Sequence, residues 1–341
     1  MTKQRLLWPD IAKGISILGV VQYHAVLASE TSGTWSANLS EMIMPLRMGM
    51  FFFVSGIFAY KIRRQSLKTI LASRIYMWAV PYFLWAILTW SIGNYLGVKV
   101  LAENPWIGMV YPVNGMWFLF SLTVCTFFVY LTKRLPTIMA LLLAMCVPLL
   151  VTYFNWHWTY LRVFQFLPIF VAGIYLSGNM KKLNEKLAKE ASRKMKFTAG
   201  ALSAALFVVS LSIHNGWMSV PAIPGFIPER VANQAWRLLV YFFALPFGTI
   251  LAIIISKDRI LSKILSWYGR HTLPIYITNE MLVWIGAILF RKLGVLKWGS
   301  DDLYISLIFV LAILGGHVAI YLSERKYIGW IFIPPKLPVG N

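Results

Sequence analysis

The sequence predicts an all-α integral membrane protein, a bundle of about ten transmembrane helices with both termini in the cytoplasm. The first observation behind this is composition: 59% of the 341 residues are apolar and 13% are charged. Soluble domains run at about 45–50% apolar and about 25% charged. About 200 apolar residues are enough for ~10 spans of ~20 residues each. The 15 Trp, 16 Tyr and 22 Phe suit aromatic belts at the two membrane interfaces. So apolar a chain cannot stay solvated as a disordered polymer.

The second observation is the order of apolar runs. Ten segments are expected to span: 11–28, 42–60, 75–96, 115–132, 137–155, 158–178, 197–213, 235–255, 272–290 and 303–323. The first is too long, and too polar at its start, for a cleaved leader, and is expected to remain as a span. Connections are short, so a single membrane domain is expected over residues 1–341. Its only long charged run, Lys181–Lys196, reads as a helical connector touching anionic headgroups.

The third observation is where the cations sit. A formal charge of +20 would point to nucleic acid in a soluble protein. Here 23 of the 32 Lys and Arg fall in the N-terminal segment, alternate loops and the C-terminal segment, including Lys61, Arg63, Arg64, Lys68 and Arg74. Five fall on the other side: Lys99, Arg230, Arg291, Lys292 and Lys297. The remaining four, Lys13, Arg47, Arg162 and Arg237, lie inside spans. The bias places the 23 in the cytoplasm. The excess charge is a topology signal, and no nucleic-acid partner is expected.

Chemistry is sought where ionisable groups enter the apolar spans, because each costs a few kcal/mol there unless paired or wet. Asp10, Lys13 and His24 all belong to the first span. Lys13 and His24 are eleven residues apart, within about 20° on one helix face and about 16 Å apart along the axis. Asp10 is one turn before Lys13, within ion-pair reach. A neutral imidazole enters the bilayer cheaply and still accepts a proton near pH 7. Arg47 precedes Gly49, Ser55 and Gly56, small residues that permit close helix approach. Arg162, Gln165 and Arg237 lie near span ends, Asn279 and Glu280 near the middle of the ninth span, and His317 in the tenth. No metal-ligand spacing, Gly-rich phosphate loop or Ser or Cys nucleophile motif stands out, so no tightly bound cofactor or metal is expected.

Asp10-Ile-Ala-Lys13-Gly14 followed by Val-Val-Gln-Tyr-His24 is similar to the first-span pattern of the membrane acyltransferase-3 family, a basic residue, ten residues, then His. Met50-Phe-Phe-Phe-Val-Ser-Gly56 resembles its "FFFLSG" motif, and Trp117-Phe-Leu its "WFL". Phe166 to Tyr175 resembles "PLFLLGYY", and Gly269-Arg-His-Thr-Leu-Pro-Ile-Tyr276 resembles "GRRSLGIYLLH". Two departures stand out. Met77 occupies the second position of an Arg-x-x-Arg pair begun by Arg74, and Asn279 replaces the closing His.

The resemblance implies a ten-helix enzyme of the bacterial cytoplasmic membrane that takes an acyl group, commonly acetyl, from cytoplasmic acyl-CoA as co-substrate. The acceptor implied is a sugar hydroxyl of an envelope glycan, glycolipid or secreted metabolite. His24 then matches the family's essential histidine and Lys13 its basic partner. The residue chemistry is compatible: acyl transfer to a hydroxyl needs a base, and imidazole fits that task near pH 7. His24 and Asp10 are the candidate catalytic groups. Lys13, Arg47, Arg63, Arg64 and Arg74 are candidates for the coenzyme phosphates. Trp117, Arg162, Gln165, Arg237, Asn279 and Glu280 are candidates for the acceptor and the oxyanion. The rival reading is a transporter or flippase for a polar or lipid-linked substrate, since intramembrane Arg, Glu and His also line pathways.

Overall fold

The computed structural model describes residues 6–99, 101, 104–108, 115–185, 193–218, 227–295, 299–335 and 337. No strand occurs among them. Each of the ten expected segments is helical. In chain order the helices are α1 (Trp8–Ser29), α2 (Trp35–Ala59), α3 (Leu67–Leu96), α4 (Trp117–Leu131), α5 (Thr137–Tyr153), α6 (Trp158–Phe164), α7 (Leu167–Glu185), α8 (Arg193–His214), α9 (Glu229–Ile255), α10 (Arg259–Arg270), α11 (Thr272–Lys292) and α12 (Asp301–Ser323). Among the described residues eight helical segments are long and apolar enough to cross a membrane, and α4 and α5 are shorter apolar helices. This is a multi-pass membrane protein. At 15 and 17 residues, α4 and α5 are about 22 and 25 Å long, below the ~30 Å hydrocarbon core.

Three features depart from the expected plan. The sixth segment is two helices, α6 and α7, parted at Gln165 and Phe166. A π-helical turn, Leu71–Ile75, interrupts α3 and contains Arg74. Residues 259–270, read as a cytoplasmic loop, form α10. In the expected connector Lys181–Lys196, residues 186–192 lie outside the described residues.

The chain divides into two compact units, each assembled from separate stretches of sequence. The first comprises residues 1–16, 45–65 and 124–267. In it α2 and α7 cross backbone to backbone. A methyl group on Gly56 would collide with the Phe170 carbonyl, and one on Gly173 with the Phe53 carbonyl. Such contact between small residues is how membrane helices gain close packing without a hydrophobic driving force. Gly14 likewise sits against the carbonyl of Leu265 in α10. Phe52 stacks on Phe166 at 4.8 Å, and Phe166 meets Tyr241 at 4.9 Å.

The second unit comprises residues 17–44, 66–123 and 268–341. Here α11 and α12 pack along their length, with Gly286 facing Ile308 and Leu311 and the Tyr304 hydroxyl donating to the Ala287 carbonyl at 2.8 Å. Asp302 caps α2 from a distant part of the chain. Its carboxylate accepts the N–H groups of Trp35 at 3.1 Å and Ser36 at 2.7 Å, satisfying donors that a helix start otherwise leaves open. Trp85 donates to the Ile331 carbonyl at 2.9 Å, holding the C-terminal segment on α3.

Candidate functional site

In the second unit, one face of α11 meets the start of α4. Tyr276, Asn279 and Glu280 are spaced i, i+3, i+4 and therefore share that face. Pro274 is tolerated because it falls in the first helical turn, where N–H groups have no intrahelical partner. The Tyr276 hydroxyl donates to the Gly115 carbonyl and accepts the Phe118 N–H at 3.1 Å. Phe118 also meets the Tyr276 ring edge-on at 5.2 Å. One phenol thus pins the turn that opens α4. One helical turn further along, the buried Glu280 carboxylate lies against Gly115, where a methyl group would displace it.

Asn279 is 2% exposed. Its amide NH2 donates to the Tyr276 carbonyl, and its Oδ1 has no hydrogen-bond partner among the described residues. A buried oxygen of this kind calls for a donor. Trp117, the first residue of α4, is buried beside this turn.

His24 belongs to the same unit. It is buried in α1, with its ring edge-on to Tyr23 at 5.4 Å. Counting from Trp8, it lies about 24 Å along the helix and about 8 Å before Ser29. Two residues earlier, Gln22 donates to the Ser36 carbonyl at 2.7 Å, tying this stretch of α1 to α2.

The comparisons with known proteins bear on this arrangement. The family model described as an acyltransferase domain, acyltransferase-3, matches residues 6–323. The chain belongs to the acyltransferase-3 family. The chain is also similar to "Inner membrane protein YcfT" of Escherichia coli (strain K12), 24% identical over 398 aligned positions that cover 99% of this chain and 98% of the relative. No solved structure matches.

The other candidate residues of this acyltransferase-3 chain are distributed as follows. In the first unit, Asp10 is buried, and the Lys13 ammonium stands over the rings of Phe58 at 4.9 Å and Phe51 at 5.9 Å. Arg47 is buried, and together with the exposed Arg237 it lies within electrostatic reach of the Tyr241 hydroxyl. Arg162 is half-buried over Trp158 at 5.9 Å, and Gln165 ends α6 at the break before α7. Arg64 is exposed. Arg63 donates to the carbonyls of Leu135 and of Lys133, the latter at 3.2 Å, and to the Thr137 hydroxyl. Those bonds hold the α4–α5 connection.

In the second unit, Arg74 is half-buried within the π turn of α3. His317 is exposed, with its Nδ1 at 2.9 Å from the Ile313 carbonyl of its own helix.

The sequence reading did not assign roles to Tyr276 or Gly115. The i, i+4 spacing of Tyr276 and Glu280 was available as a signal. The involvement of Gly115 was not, because it depends on which helix start meets α11.

Proposed function

We propose that this protein is a membrane O-acyltransferase. It moves an acyl group, acetyl in the simplest case, from cytoplasmic acyl-CoA to a hydroxyl of an envelope glycan, glycolipid or other sugar-containing acceptor. The observation that carries the reading is an imidazole buried deep in a full-length membrane helix of an acyltransferase-3 chain. In this reading His24 accepts the proton of the acceptor hydroxyl as the oxygen attacks the thioester carbonyl. The tetrahedral intermediate collapses, the C–S bond breaks, and the proton returns to the departing thiolate. General-base assistance of this kind contributes about 10²–10⁴-fold.

The acceptor side of the reading rests on α11. Asn279 presents a buried acceptor atom, and Glu280 a buried carboxylate. Both suit sugar hydroxyls, which donate to them. The amide of Asn279 already bonds its own helix, so its contribution is to orient the hydroxyl, and oxyanion stabilisation is assigned to Trp117 at the start of α4. Arg162, Gln165 and Arg237 are assigned to the outer approach.

Lys13, Arg47, Arg64 and Arg74 are assigned to the coenzyme phosphates. Arg63 leaves that set because its donors already hold the α4–α5 connection. The charge asymmetry of the loops supports cytoplasmic termini and a place in the cytoplasmic membrane.

Purified protein given acetyl-CoA is expected to release free CoA thiol, slowly to water and faster with its acceptor. Absence of any thiol release, with transport of a polar or lipid-linked solute across vesicles, would establish the transporter reading instead. Arg74→Glu is expected to weaken CoA binding severalfold more than Lys292→Glu, as read by calorimetry. Equal effects would mean that the basic cluster serves topology only.

A further inference from the structure

The helix α10 has three distinct faces. Residues 256–258 and the single residue 271 join it to α9 and α11, both long enough to span, so it lies at a membrane face. Asp258 caps it, accepting the N–H groups of Ile260 at 2.9 Å and Leu261 at 2.7 Å. Ser262 and Ser266 are buried, and the Leu265 carbonyl presses on Gly14, so this small-residue side is the one against the protein.

The opposite side is open. Ile260 is 70% exposed, Leu261 49% and Ile264 47%. At 100° per residue these side chains spread over about 100° of arc. Arg259 and Lys263, one turn apart and within about 40° of each other, form an exposed basic stripe along the edge of that apolar face, with the exposed Lys257 just before them. Among the described residues neither Arg259 nor Lys263 forms an ion pair. In water three large aliphatic side chains on one short exposed face would be a liability. At a bilayer surface the same pattern places aliphatic groups among acyl chains and cations among headgroups.

We infer that α10 is a binding surface for anionic phospholipid, with Arg259 and Lys263 taking the headgroup phosphate and Ile260, Leu261 and Ile264 seated among the acyl chains. Bilayer continuity on both flanks and charge complementarity commit the occupant to a lipid. Through the Leu265–Gly14 contact the site rests directly on the helix that carries Lys13.

The test is native mass spectrometry of the full-length protein, delipidated in detergent and titrated with phosphatidylglycerol or phosphatidylcholine. Wild type is expected to retain phosphatidylglycerol preferentially. Each basic charge near an anionic surface contributes about fivefold in affinity, so R259Q/K263Q is expected to lose roughly 25-fold for phosphatidylglycerol and little for phosphatidylcholine. Neither change touches the buried face. The single variant K263Q, losing about fivefold, supplies a second reading if the double variant expresses poorly. The control Lys292→Gln should leave retention unchanged. Undiminished phosphatidylglycerol retention by both α10 variants, or an equal loss in Lys292→Gln, would overturn the assignment. So would an equal loss of acetyl-CoA affinity in lipid-free detergent, which would make the stripe a coenzyme contact.

Discussion

His24→Gln is expected to lose acyl transfer by about 10²–10⁴-fold while expression and CoA binding stay close to wild type. Glutamine keeps the size and hydrogen-bonding capacity of imidazole, but it cannot take a proton. The side chain lies about 24 Å along α1, well separated from the Lys13 end, so its loss should leave the donor phosphates undisturbed. Turnover is read by acceptor-dependent thiol release and donor affinity by calorimetry. A Gln variant that keeps more than a tenth of wild-type turnover would show that His24 is structural. Of the alternatives, His317 is exposed and bonded to its own helix, whereas Glu280 is buried beside Gly115. Glu280 would then be the next base to test.

The second large effect concerns stability. Gly56→Ala and Gly173→Ala each push a methyl group into a carbonyl of the opposing helix. A flexible side chain would yield, but two crossing backbones have to separate. Overpacking typically costs about 1–3 kcal/mol and occasionally more, and rigid backbone places these sites at the upper end. Each variant is therefore expected to lose most of its detergent-stable yield and to unfold at markedly lower temperature. Gly200→Ala is the matched control, since a methyl group there meets nothing within 4 Å. Alanine is the better helix former by about 1 kcal/mol, so this variant should be neutral or more stable. Comparable losses at Gly56 and Gly200 would mean that the α2–α7 crossing is not tightly held.

How much of this was legible in the sequence differs by element. The ten apolar segments were readable because a membrane span is a length-and-hydropathy object, fixed by bilayer thickness. α10 was missed because its twelve residues mix Arg, Lys and Ser with Ile and Leu, too few for a span and too charged for a core helix. Its periodicity, basic residues on one edge and aliphatics on the next, was the available signal. The parting of α6 from α7 at Gln165 leaves no mark in hydropathy, but Pro168, which lacks the N–H to continue a preceding helix and suits a first turn, marks the start of α7. Gly56 was recognised as a close-approach residue, but its partner Gly173 was not, because pairing across a long stretch of chain is invisible to a local pattern. For the same reason the buried His24, Asn279 and Glu280 could be nominated one by one, while Tyr276 gained its part only once Gly115 stood opposite it. Arg63 shows the converse case: a cation nominated from its neighbourhood also bonds three groups of a connection far along the chain, which no local pattern announces.

The Asp302 cap on α2 bears on how this chain is made. Trp35 and Ser36 precede Asp302 by more than 260 residues. At about 5–20 residues per second, a ribosome reaches that aspartate roughly 13–50 s after it has passed the start of α2. Until Asp302 is made, the N–H groups that it caps have only water or headgroups to satisfy them. Residues 17–44 and 268–341 complete one unit, so the earliest and latest segments of the nascent chain must find each other after everything between them has entered the bilayer. Premature termination anywhere before α12 would therefore leave the start of α2 without its Asp302 cap.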